Sequence, residues 1–146
     1  ALGSPGVGLL GFRSSHHEAL GAQRVANIRG DDDPGVTAFA DVALSVFLSR
    51  DLAAARRWVA EVLGGLAQDD DPMAELRRTV LLFLQSGASL TEAAVALHLH
   101  KNTVRYRLRK AEDVRGQPIS ERRLDVETAL LACQHLGTSV LIRTGL

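Results

Sequence analysis

Lysine is nearly absent from this 146-residue chain. It has two, Lys101 and Lys110, and both lie in one fifteen-residue stretch, ALHLHKNTVRYRLRK, at 96–110. Cysteine is scarcer still. Cys133 is alone, which excludes an intramolecular disulfide and fits a reducing compartment. It sits in the apolar run TALLACQHL, where a packed core thiol is the expectation. Aromatic residues make up only 4% of the chain, while much of the 46% hydrophobic content is alanine, so helices are favoured over strands. Net charge is zero, which argues against a protein that coats nucleic acid over its whole surface and leaves room for one local basic patch. Long apolar runs are missing too: VGLLGF and ALLAC fall far short of the ~20 residues a membrane span needs. The opening ALGSPGVGLLGF has no basic segment or cleavage pattern of a signal peptide. A cytoplasmic protein without membrane contact is expected.

The length suits one domain, or one domain and a fragment. The chain opens in what reads as the middle of a structure and is expected to be part of a longer polypeptide. Residues 6–12, GVGLLGF, read as a short buried strand or extended segment. A helix follows to Gly30, with Ser15 and Glu18 as its capping box. DDDP occurs at 31–34 and again at 69–72, and Asp before Pro is a good helix start, so each copy is expected to open a helical unit. Between them two helices are expected. One buries Phe39, Ala43, Val46 and Phe47; the other buries Leu52, Ala55, Val59, Val62, Leu63 and Leu66, with Trp58 as a packing anchor beside it.

From Pro72 on, a helix carries Leu76, Val80, Phe83 and Leu84 on one face and stops at Gly87. A second opens with Ser89 and Glu92 as a capping box, and a turn follows at 98–100. A basic helix then spans about 101–114, ended by Gly116 and Pro118. A last helix covers about 120–136, closed by Gly137. The tail from 138 carries little signal. The fold class expected is mainly α, a helical bundle containing a helix-turn-helix, with a short N-terminal strand–helix remnant.

The helix-turn-helix follows from side-chain size and spacing. Ala94 lets two helices cross closely, Leu99 anchors the turn, and Val104, Leu108 and Ala111 seat the basic helix on its neighbour. Lys101, Asn102, Arg105, Tyr106 and Arg109 are then left outside, with Thr103 partly so. Asn can bond two edges of adenine, Arg or Lys can bond guanine, and a Thr methyl can meet a thymine methyl. Ser89 and Thr91, at the start of the preceding helix, suit phosphate. Arg107 lies on the flank of the buried stripe, where it could pair with a carboxylate inside the domain or reach DNA. The plainer alternative for the whole segment is a solvated helix face, in a helical protein-interaction or dimerisation module that does not touch DNA. The five histidines offer little chemistry. HLH on a turn, without Cys or a carboxylate cluster, is a poor metal site, and His16 and His17 beside Ser14 and Ser15 do not make a triad. No enzyme activity, metal or cofactor is expected.

The stretch LRRTVLLFLQSGASLTEAAVALHLHKNTVRYRLRKAEDVRGQPI resembles the C-terminal helix-turn-helix domain of PucR/CdaR-type bacterial transcription regulators. LHLHKNTVRYRLRKAED carries most of the likeness, and TVLLFLQSGASLTEAA and RLDVETALLA add to it. The resemblance spans 72–137. It implies a sequence-specific transcriptional regulator that binds double-stranded DNA, with His100, Lys101, Asn102 and Thr103 as the DNA-reading start of the recognition helix. A homodimer is expected separately, because the helices at 36–66 look suited to pairing and two recognition helices suit a palindromic site. Lys101 stands where the pattern more often has arginine, which keeps the charge and loses a bidentate fork. Upstream, GVGLLGFRSSHHEALGAQRVA looks like the end of the GGDEF-like domain such regulators carry. No Gly-Gly-Asp-Glu-Phe run occurs, so cyclase activity is not implied. The organisation expected is a GGDEF-like remnant at 1–30, linking or dimerisation helices at 31–71, the DNA-binding domain at 72–137 and a tail at 138–146. Any small-molecule effector is expected to bind a domain upstream of this chain.

Overall fold

In the computed structural model, residues 1–30 and 35–143 are described. They form seven α-helices: α1 Gly8–Arg29, α2 Phe39–Leu48, α3 Leu52–Leu63, α4 Asp71–Gln85, α5 Leu90–Leu97, α6 Lys101–Arg115 and α7 Arg123–Leu136. Three short 3₁₀ turns, Ser49–Asp51, Gly64–Ala67 and Gly137–Ser139, connect or extend them. The central helix is α7, which packs against α1, α2, α3 and α4, while α4, α5 and α6 pack on one another at one end. One continuous apolar core runs through all seven helices, from Ala22 and Val25 of α1 to Val104, Leu108 and Ala111 of α6. The fold is mainly α, as the composition leads one to expect.

Helix ends follow local chemistry. Asp70 caps α4 by accepting from the Met73 N–H at 2.8 Å, with Pro72 in the first turn, as the second DDDP predicts. The first DDDP, 31–34, lies outside the described residues. Gly30 and Gly116 close α1 and α6 in the left-handed region. Cys133 is buried, and burial pushes its thiol up to about 11, which suits a packed and unreactive side chain.

Four expectations need correction. No strand forms at 6–12: helix α1 begins at Gly8 and runs through Ser15, so Ser15 caps nothing. A short apolar run does not by itself distinguish strand from helix. No partner strand exists among the described residues, whereas a helix satisfies its own backbone. Glu18 instead accepts the Ser4 N–H at 2.6 Å, a bond that holds its carboxyl below the usual range and staples the N-terminal segment along α1.

On α2 the buried face is Val42, Ser45 and Val46, and Phe47 is 55% exposed. The face is rotated because a serine belongs to the core: Ser45 Oγ lies 2.9 Å from His135 Nδ1. The tail is also structural. Val140 and Leu141 are buried, and 142 bridges to 68 through Ile142 N–H to Ala67 O and Asp69 N–H to Ile142 O, each 2.8 Å. Arg56 Nε donates to Leu141 O at 2.8 Å. Lastly, α7 starts at Arg123 rather than 120, because Arg122 sits in the left-handed region with φ 55°.

Two buried arginines hold turns together. Arg77 donates to Leu66 O and Gln68 O, fastening the 64–67 turn to α4. Arg115, 7% exposed at the end of α6, donates through Nε to Val62 O at 2.8 Å and through its terminal nitrogens to Pro118 O and Glu121 O. Burial lowers its pKa, with Glu121 and Glu112 acting in the opposite sense. The close approach requires Gly64 and Gly65. A Cβ on Gly64 would stand 2.8 Å from Arg115 O, and one on Gly65 would stand 2.9 Å from Val114 O.

Arg115→Met keeps much of the volume and removes every donor. Each buried carbonyl left unpaired costs about 1–3 kcal/mol. Chemical denaturation should show a loss of at least about 2 kcal/mol, with reduced helicity at no denaturant if the loss is larger.

A second expectation concerns pH. Burial, then Arg29, lowers the His135 pKa from 6.5, with Asp41 opposing. A histidine with a lowered folded pKa binds its proton more tightly when unfolded. Its contribution is therefore complete above about pH 6.5 and is lost as pH falls below it. Melting temperature should decline below that pH, and His135→Gln should remove this part of the decline.

Candidate nucleic-acid interface

The site is built on a hairpin of short helices. Ser89 Oγ accepts from the Glu92 N–H at 3.3 Å and caps α5; its own N–H goes back to Ser86 O, so the capping box is half formed. At the other end of α5, Leu99 N–H bonds to Ala94 O at 3.0 Å and His98 N–H to Val95 O at 3.2 Å. This is the Schellman pattern, with His98 in the left-handed position usually held by glycine, φ 54°. The turn reverses the chain tightly, and buried Ala93 and Ala94 let α5 lie close to its neighbours.

His100 then opens α6. Its Nδ1 accepts from the Asn102 N–H at 3.2 Å, so a neutral ring carries its proton on Nε2, an exposed donor at the positive end of the helix. Val104 and Ala111 are fully buried and Leu108 nearly so, each apolar side chain adding roughly 1–3 kcal/mol to the seating of α6. On the opposite face Lys101, Asn102, Arg105, Tyr106 and Arg109 are exposed, and Thr103 is half-buried. Thr91, exposed on α5, shares a shallow hollow with His100 and Lys101, so the starts of both helices open onto one surface. Ser89 is half-buried and lies to one side of it.

The six cations of α6 divide into two sets. Arg107 makes an ion pair with Glu75 of α4 at 3.0 Å, the within-domain contact that was one of its two expected roles. Arg115 is the buried clamp. Lys101, Arg105, Arg109 and Lys110 make no ion pair or hydrogen bond with any described residue, and all four are exposed. A helix with one anchored side and one side of free cations, amide and phenol is suited to meeting an anionic, hydrogen-bonding surface. Among the described residues no group of three His, Cys, Asp or Glu could hold a metal ion, and no helix is long and apolar enough to cross a membrane.

Sequence reasoning missed Arg115 and Arg77. Both look like surface cations in a linear reading, and only the fold brings carbonyls to them.

Comparison with known proteins finds a similarity over the same region. Residues 76–132 match the PucR C-terminal helix-turn-helix domain. The "Transcriptional activator PmfR" of Paenarthrobacter nicotinovorans is 36% identical over 84 residues, 58% of this chain and 18% of that protein. The chain thus spans less than a fifth of the length of this relative over the matched region. No solved structure matches it. The matched residues take in most of α4, all of α5 and α6 and most of α7, so the helices that carry the site are the part of this chain that is similar to the PucR C-terminal helix-turn-helix domain.

Proposed function

We propose that this chain is the DNA-binding part of a transcriptional regulator that reads double-stranded DNA in a sequence-specific way. In this reading α6 enters the major groove by its N-terminal end. The observation that carries it is the composition of the free face of α6: Lys101, Asn102, Arg105, Tyr106 and Arg109, exposed and unpaired on a helix whose other face is locked into the core. Asn102 and the cations read base edges or phosphates, while Thr91, Ser89 and the His100 Nε2–H approach the backbone. The matched relative, a transcriptional activator, agrees with this role.

Residues 1–30 are proposed to belong to a preceding GGDEF-like domain, with any effector bound upstream. Support comes from α1, whose first half leaves Leu9, Leu10 and Phe12 largely exposed. The helices between 31 and 71 are proposed to pair two copies, through Leu44 and Phe47, both more than half exposed on α2. Two copies present two recognition helices to half-sites about one helical turn apart.

Fluorescence anisotropy on duplexes tiled upstream of the chain's own gene tests the DNA reading. With up to four phosphates met by Lys101, Arg105, Arg109 and Lys110, log Kobs should fall against log salt with a slope of about −3 to −4. The variant Lys101→Ala/Asn102→Ala should lose selectivity over scrambled duplex at unchanged melting temperature. Retained selectivity in that variant refutes the assignment of α6. Absence of binding by a verified dimer at about 50 mM salt favours an interaction module instead.

Pairing is checked separately by sedimentation equilibrium. Leu44→Ser/Phe47→Ser should shift the chain to monomer while leaving helicity intact, and a dimer that survives the change excludes this face.

A further inference from the structure

The free face of α6 has a neighbour that none of the expected site residues includes. Arg105 and Arg109, one turn apart on α6, line one side of a hollow of about 420 Å³, and Arg123, the first residue of α7, lines it as well. Its apolar wall includes Leu84, Leu90 and Leu108. Three arginines thus line one small depression. Arg123 is held in place: its Nη2 donates to Leu84 O at 3.2 Å, which leaves its other donors unengaged by described residues. Glu112 is the acidic residue on the rim, and its Oε1 is occupied by the Ile119 N–H at 2.9 Å. Leu90 adjoins Ser89, so the depression borders the start of α5, where the backbone contacts of the DNA reading lie.

We infer that Arg123 is a DNA-phosphate contact, extending the interface from α6 across this depression onto α7. The inference rests on the DNA-binding reading above and adds an element to it. The reasoning is continuity and charge. A phosphodiester strand passing the start of α5 and the Arg105–Arg109 side of α6 meets Arg123 next, and a guanidinium fork suits a phosphate. Like charges gathered around one hollow repel one another until an anion arrives, so the trio favours an anionic occupant. No ion pair joins the trio to a described carboxylate, although Glu112 lines the same hollow.

The salt dependence of binding by the 146-residue chain tests this. Arg123→Gln removes the charge and keeps an N–H donor for Leu84; Arg123→Lys keeps the charge. The slope of log Kobs against log salt should become shallower by about 0.9 in Arg123→Gln, the contribution of one phosphate, and stay at the wild-type value in Arg123→Lys. Melting temperatures of both variants, measured alongside, should match the wild type. Arg13→Gln, on exposed α1, serves as a control for long-range charge and should leave the slope unchanged. An unaltered slope in Arg123→Gln overturns the inference while the DNA reading stands, and so does an equal drop in the Arg13 control. A wild-type chain with no salt-dependent DNA binding removes the reading itself, and this inference with it.

Discussion

Everything that α6 can do depends on how its far end is held. The Arg115 guanidinium reaches under the helix terminus and satisfies carbonyls from three separate places: the end of α3, the 116–119 loop and the approach to α7. It does this inside the core, where a carbonyl without a partner is costly. The neighbouring Gly64–Gly65 turn has no side chain to push the α6 terminus away. Helix position, loop path and the start of α7 are therefore coupled through one side chain. The N-terminal half of α6 is seated by the apolar contacts of Val104 and Leu108 and by the Arg107–Glu75 ion pair on its flank, and so can carry polar groups along its open face.

Zero net charge looks at first like a poor basis for meeting a polyanion. On the proposed DNA-binding reading, location resolves this. Arginines are spent in three ways: as buried clamps at 77 and 115, as ion pairs at 107 and 122, and as free charge at 105 and 109. Acidic residues serve elsewhere, as helix caps at Asp51 and Asp70 or as partners for those arginines. Charge neutrality of the whole is compatible with a local positive field, because screening limits its reach to about 8 Å at physiological salt. Such a chain should have little general attraction for nucleic acid beyond the face that carries the free cations.

How much of this was legible in the sequence depended on the range of the interaction. Caps that act within four residues were readable: Asp70 before Pro72, Ser89 before Glu92, Gly116 after Arg115. So was the period of α3 and of α6, where burial repeats with the helix turn and Val59, Val62, Leu63, Val104 and Leu108 came out as expected. The exposed set on α6 was readable for the same reason, since it is what remains once the buried stripe is assigned. Failures came where a distant partner decides the outcome. Ser45 is a core residue because its Oγ meets His135 Nδ1, ninety positions on, at 2.9 Å, and α2 is rotated so that Phe47 turns outward. The tail after 137 looked featureless because its anchors, Arg56 and the backbone at 67–69, belong to other elements. GVGLLGF looked like a strand because an apolar run of that length has no period to read.

Strain and support are arranged along the hairpin in a telling order. The turn carries a non-glycine residue, His98, in the left-handed region, at a cost of roughly 1–2 kcal/mol. A glycine there would relieve the strain and widen the conformations open to the unfolded chain. The imidazole is tolerated because the turn is fixed from both sides: two Schellman hydrogen bonds close α5, and the His100 cap starts α6 only two residues later. With so few residues between one helix end and the next helix start, the angle between α5 and α6 has little freedom. The surface assembled from the starts of both helices is then preformed, and on the proposed DNA-binding reading less ordering entropy has to be lost on binding. That matters for a face with few charges, since each contact it makes must count toward affinity rather than toward organising the protein.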